Sequence, residues 1–252
     1  MLLAGCTAPA ASIEVAPTEA SAQFPEIVIR AEAPEITIST ETPTAPATKN
    51  DAPSTLGPIK STAPTSNAEA ALDLLDEIVV KGRAPQTGYD RDLFGNGWGD
   101  PDHNGCDTRN DILSRDLMVS SYKEGTRDCV VLTGILQDPY TGKTIDFQRG
   151  QGTSNDVQID HIVALSDAWQ KGAQQLPAQR RIELANDPIN LIAVDGPTNA
   201  AKSDSDAASW LPPQRDYWCQ YVSSQVTVKH KYGLWMTAAE HERSNEVLKQ
   251  YC

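Results

Sequence analysis

VQIDHIVALSDAW (residues 157–169), NDPINLIAV (186–194) and DGPTNAAKSD (195–204) decide how this chain reads. The first piece opens with Val157 and Ile159 on alternate positions and predicts a short strand over 157–162. Asp160 and His161 are neighbours at the end of that strand, so their side chains leave the backbone in different directions. The second piece predicts a strand over 189–194 with Asn190 on it. In the third, Pro197 suits the first turn of a helix, which puts Asn199 in that turn and Lys202 three residues on, along the same face. A carboxylate (Asp160) and a carboxamide oxygen (Asn199), completed by water, make a hard-oxygen site suited to one Mg²⁺ or Mn²⁺. A neutral imidazole beside it, His161, can take a proton from water.

Outward from this stretch the pattern is α+β, mostly helical around small antiparallel pieces. Asn67 can cap a helix from Ala68 to Lys81, with Leu72, Leu75 and Val79 on one face and Gly82 as its stop. A turn-rich segment runs from Gly88 to Trp98. Asp107 or Thr108 can open a helix through Ile112, Leu113 and Leu117. CVVLTGIL (129–136) and KTIDFQ (143–148) flank DPYTG (138–142) and predict a hairpin. Further helices are predicted over 167–173, 178–185, 214–231 and 237–250.

Asp100, Asp102, Asn104, Gly105 and Asp111 fall at positions one, three, five, six and twelve of an EF-hand-type loop, with Asp in place of the usual final Glu. That spacing allows a structural Ca²⁺. Apart from Cys6, the cysteines are Cys106, Cys129, Cys219 and Cys252, an even number without the C-x-x-C spacing of a zinc site. Of three possible pairings, joining sequence neighbours gives Cys106–Cys129 and Cys219–Cys252, and either way paired cysteines indicate an oxidising compartment.

Residues 1–67 hold nine of the 17 prolines and none of the five Trp or seven Tyr, a composition that cannot build a core. Residues 7–67 therefore read as a disordered Pro/Thr/Ala-rich linker and residues 68–252 as one domain. No apolar run reaches the ~18–20 residues of a membrane helix. Leu2-Leu3-Ala4-Gly5-Cys6 resembles a lipobox, the end of a signal peptide, and implies Cys6 as a lipidated residue anchoring an extracellular protein to the membrane. The net charge is −13, with three basic and seven acidic residues up to residue 67 and eighteen and twenty-seven beyond it. An acidic domain excludes bulk-charge wrapping of nucleic acid and leaves recognition to a few local groups.

The order Asp-His, then Asn-Leu, then Asn-x-x-Lys is similar to the HNH, or ββα-metal, endonuclease motif. The wider set GYDRDLFGNGW, NGCDTRNDIL, DPYTG, VQIDHIVAL, ANDPINLIAVDG and WLPP, spread over about residues 72–252, resembles secreted HNH-family proteins related to the C-terminal domain of GmrSD-type restriction endonucleases. The resemblance implies metal-dependent hydrolysis of DNA, or of RNA; no helix-turn-helix, zinc-ribbon or extended basic arm is visible in the sequence, so cleavage without sequence preference is expected. It implies Asp160 and Asn199 as metal ligands, His161 as general base, Asn190 as the residue orienting His161, and Lys202 near the phosphate or the metal-bound waters. Arg149 and Arg109 lie in matching stretches and are the expected phosphate clamps, since guanidinium grips phosphate through two parallel hydrogen bonds. A second function is compatible with the acidic charge, the tail and the Asp100 loop: a non-catalytic, calcium-binding lipoprotein of the cell envelope.

Overall fold

The computed structural model describes residues 66–252. The expected lipidation site Cys6 and the linker up to residue 65 lie outside the described residues. In chain order the elements are α1 (Ser66–Glu77), α2 (Thr108–Asp116), β1 (Leu117–Tyr122), β2 (Val131–Gln137), β3 (Thr144–Gln148), β4 (Val157–His161), α3 (Leu165–Gln170), α4 (Ala178–Asn186), β5 (Leu191–Asp195), α5 (Gly196–Lys202), α6 (Trp218–Tyr232) and α7 (Ala238–Gln250). The α+β expectation holds. None of the described helices is long and apolar enough to cross a membrane.

β1, β2 and β3 form an antiparallel sheet in that order, and β4 pairs with β5 in a separate antiparallel ribbon. The ribbon register sets His161 opposite Leu191 and Asp160 opposite Ile192. Strand alternation then divides the ribbon. Val157, Ile159, Leu191 and Ala193 pack with α2 residues Ile112 and Leu113 and with Phe147 of the sheet. Val194, with Ile162 just beyond β4, joins a helical core built from Leu75, Val222, Val226 and Leu248. The chain passes directly from β5 into α5, which packs back on both ribbon strands. Gly196 makes this turn possible, because a Cβ there would run into the Asn155 carbonyl oxygen.

Several boundaries differ from the periodicity. α1 stops at Glu77 and leaves Val79 56% exposed, since the next residues exchange backbone hydrogen bonds with Met236: Met236 N–H donates to Val79 and Lys81 N–H to Met236. The expected strand from Ile189 begins only at Leu191, after a 3₁₀ turn over Pro188–Asn190 that the Asp187 side chain caps. Leu117, expected on a helix face, starts the unforeseen strand β1, which finds its partner in β2. The hairpin of β2 and β3 forms around Asp138–Gly142, with Gly142 at φ +74°. Both disulfides pair sequence neighbours, Cys106–Cys129 and Cys219–Cys252. The second ties the C-terminus to the start of α6.

A buried ionic cluster joins the helices. Lys171 lies 2.7 Å from Asp167, 2.7 Å from Asp206 and 2.6 Å from Glu240, and Lys229 contacts Asp167 and Glu240. Arg83 adds a third cation, at 3.0 Å from Asp167 and 2.7 Å from Asp206, so three positive groups face three carboxylates. Burial by itself would lower the Lys229 pKa, but Asp167 and Glu240 outweigh it and hold the ammonium above its ordinary range.

Candidate active site

The site is organised by the end of α4. Its last carbonyls lack partners within the helix, as at any helix C-terminus, and Pro188 has no N–H to offer Leu184. Two side chains from elsewhere occupy these carbonyls. Asn190 Nδ2 donates to Leu184 O (3.2 Å), and His161 Nε2 lies 2.9 Å from Ala185 O. A carbonyl only accepts, so Nε2 carries the hydrogen and Nδ1 is left as a bare lone pair.

Burial pushes the His161 pKa down from 6.5 to about 3; the Ala185 carbonyl opposes this, while the positive charges of Arg91 and Lys202 add to it. The ring is therefore neutral at physiological pH. Trp98 lies parallel to it, with ring centroids 5.6 Å apart and planes inclined by 8°. Asn190, fully buried, also holds the chain just after His161: its backbone carbonyl accepts from Ile162 N–H and its Oδ1 from Val163 N–H, both at 2.8 Å.

Asp160 is held between the hairpin and α5. Its Oδ2 accepts from the Tyr140 hydroxyl (2.5 Å) and its Oδ1 from Lys202 Nζ (3.0 Å), which also donates to the His161 carbonyl (2.9 Å). Burial nevertheless leaves the Asp160 carboxyl above its usual range. Tyr140 reaches this position because Asp138 stitches the hairpin to the ribbon, accepting through Oδ1 from the N–H groups of both Tyr140 and Asp195. Lys202 is 0% exposed, so its ammonium is committed to the interior. Asn199 Nδ2 donates to Gln158 Oε1 (2.9 Å).

A recess of about 420 Å³ opens over these groups and is lined by Arg91, Asp160, His161, Asn199, Ser203 and Asp204, among others. A smaller cavity of about 120 Å³ adjoins it, sharing Arg91, His161 and Leu165 and adding Phe94 and Trp98. Ser203, at the end of α5, holds a left-handed backbone (φ +53°) at the recess wall. Another cavity, about 520 Å³ between α1 and α6, is lined by none of Asp160, His161, Asn190, Asn199 and Lys202.

The tertiary structure thus gathers Asp160, His161, Asn190, Asn199 and Lys202. Arg109 and Arg149 are placed elsewhere. Arg109 donates to the carbonyls of Ser154 and Val157, and Arg149 to Val131 O (2.6 Å) and Asn110 Oδ1 (2.5 Å); neither lines the recess. In the Asp100 loop, Asn104 N–H donates to Asp100 and Asp102, the Asn104 amide to Asp102 and Asp111, and Gly105 N–H to Asp100. Burial, opposed by Asn104 and aided by the neighbouring aspartates, raises the Asp111 pKa. Among the described residues no group of three or more His, Cys, Asp or Glu side chains could hold a metal ion.

Arg91, Trp98 and Tyr140 are the site residues that periodicity and spacing do not reveal. Their sequence signal is confined to the stretches GYDRDLFGNGW and DPYTG, which read locally as turns.

Over residues 107–243, more than half of the chain, the sequence matches the GmrSD restriction endonucleases, C-terminal domain, and the chain belongs to that family. A relative from Arthroderma benhamiae, named "Uncharacterized secreted protein", is 34% identical over 197 residues, 77% of this chain and 91% of the relative. No solved structure gives a significant match.

Proposed function

We propose that the chain is an extracytoplasmic endonuclease of the HNH, ββα-metal type that hydrolyses phosphodiester bonds, with His161 as general base. The observation that carries this reading is the bare Nδ1 of a neutral His161 beside a recess that also holds Asp160 and Asn199. The antiparallel ribbon followed at once by α5 is consistent with the ββα order. Membership of an endonuclease family supports nucleic acid as substrate. Two disulfides and the relative's description as secreted support an oxidising, extracellular location. Attachment through Cys6 belongs to the same reading.

The oxygen donors suit one hard cation such as Mg²⁺ or Mn²⁺: Asp160 presents a carboxylate, and the Asn199 Oδ1 accepts no hydrogen bond among the described residues. Asp160 and Asn199 would hold the ion, which would offset the charge that develops on the phosphate and the leaving oxygen. The remaining chemistry lies in the chain. His161 Nδ1 takes the proton of the attacking water, and its Nε2–H stays on Ala185 O, which faces the imidazolium as it forms. Asn190 fixes the strand exit on which the ring depends, while Tyr140 and Lys202 fix the Asp160 carboxylate. With its ammonium buried, Lys202 acts through Asp160 rather than on the phosphate.

The test is degradation of plasmid DNA and of RNA with Mg²⁺ or Mn²⁺, repeated with chelator and with His161→Ala. Cleavage that needs the metal and disappears in the variant is expected. Cleavage that survives His161→Ala sinks the mechanism.

A further inference from the structure

An acidic chain that binds a polyanion needs at least one cation committed to the phosphate. The cations that spacing suggests are all engaged: Lys202 is buried on Asp160, and Arg109 and Arg149 brace backbone carbonyls and Asn110. Arg91 differs from them. It is exposed, lines both the recess and the adjoining cavity, and makes no ion pair or side-chain hydrogen bond among the described residues. In both cavities it shares the wall with His161.

The backbone under Arg91 is held firmly. Arg91–Phe94 is a 3₁₀ turn capped by the Asp90 side chain, which accepts from Asp92 N–H. Phe94 is buried against Trp169 and Tyr89, and Arg181 Nε donates to the Leu93 carbonyl from α4. The same helix, α4, supplies the Ala185 carbonyl that holds His161. One element therefore sets both the imidazole and the base of the arginine.

We propose that Arg91 is the phosphate-binding residue of the site, its guanidinium gripping the substrate phosphate presented to His161. Hydrolysis of the bound strand rests on the endonuclease reading, whereas the contact itself concerns phosphate recognition alone. A guanidinium offers two parallel N–H donors to two phosphate oxygens, and it reads no base. It supplies locally the positive charge that the domain as a whole lacks.

The experiment compares the wild-type chain with Arg91→Ala, Arg91→Lys and, as a loss-of-charge control, Lys143→Ala on the exposed hairpin turn. Two readouts are taken. One is kcat/KM for cleavage as a function of salt. The other is binding of a short fluorescein-labelled oligothymidylate in chelator, followed by anisotropy over the same salt range. Arg91→Ala is expected to lower kcat/KM roughly 10- to 100-fold. It should flatten the logarithmic salt dependence of binding by about 0.7, the share of one phosphate on a single strand. Arg91→Lys should fall between the two, and added guanidinium ion should restore part of the Arg91→Ala activity. Lys143→Ala should follow the wild type. If Arg91→Ala tracks Lys143→Ala in both readouts, the proposal is overturned; a wild type without salt-sensitive oligonucleotide binding overturns it as well. A wild type that binds through Arg91 yet cleaves nothing leaves this assignment standing and removes the endonuclease reading.

Discussion

Replacing Asn190 by alanine tests the arrangement at its most connected point. The side chain is fully buried and joins three backbone groups: Val163 N–H, at 2.8 Å from Oδ1, and Leu184 O and Val163 O, at 3.2 and 3.4 Å from Nδ2. Pro188 cannot donate to Leu184 in its place, and Asn190 Oδ1 is the acceptor of the Val163 N–H. Each orphaned buried group costs about 1–3 kcal/mol, and a water entering the vacated space recovers part of that. The expected loss is about 3 kcal/mol, or roughly 10 °C in Tm for a domain of this size. Asn190→Asp keeps the acceptor for Val163 but turns an oxygen toward the Leu184 carbonyl. Its buried carboxyl pKa is raised, so its stability relative to Asn190→Ala is highest at low pH, where the protonated group donates to Leu184, and is lost as pH rises. Differential scanning calorimetry over a pH series measures this, and cleavage assays below Tm measure the second consequence. With the strand exit released, His161 loses its alignment to Ala185, so kcat falls while KM changes little. An Asn190→Ala protein that melts within a degree or two of the wild type and cleaves at full rate refutes the reasoning.

The buried ionic cluster makes a separate prediction. Burial would raise the Asp206 carboxyl, but Lys171, Arg83 and Lys229 outweigh it and hold it below its usual range; Asp167 is likewise lowered by Lys229 and Lys171. Groups lowered in the folded state contribute stability above their unfolded pKa near 4 that is lost as pH falls through the folded values, so Tm should drop in acid. Lys171→Met strips three carboxylates of a partner and should cost about 3–5 kcal/mol by urea titration. Gly196→Ala should push the start of α5 away from Asn155 and with it Asn199 and Lys202; a variant with wild-type Tm and activity would show that α5 is not held there. Breaking Cys219–Cys252, whose partners are 33 residues apart, should cost about 3–4 kcal/mol on the chain-entropy account, seen as a lower urea midpoint for Cys219→Ser.

Membership of the endonuclease family and the geometry of the His161 recess bear on different questions. The family makes nucleic acid the expected substrate class. The recess gathers an imidazole with a fixed tautomer, a carboxylate held between Tyr140 and Lys202, and a guanidinium with no partner among the described residues.

By itself the sequence determined the α+β class, the order of two strands and a helix start over residues 157–204 and the hairpin around Asp138–Gly142, and it favoured pairing the cysteines with their sequence neighbours. All of these rest on local alternation, turn residues or short separations, which a linear reading captures. It also identified Asp160, His161, Asn190 and Asn199 by type and order. Tertiary structure alone decided which nitrogen of His161 is bare, because that depends on the Ala185 carbonyl twenty-four residues away. It buried Lys202, whose spacing on α5 says nothing of what lies above that face. It spent Arg109 and Arg149 on backbone carbonyls and brought Tyr140 and Arg91 to the site from turns with no periodicity. A charge acts on whatever lies within a few ångströms, and for these residues those neighbours are distant in sequence.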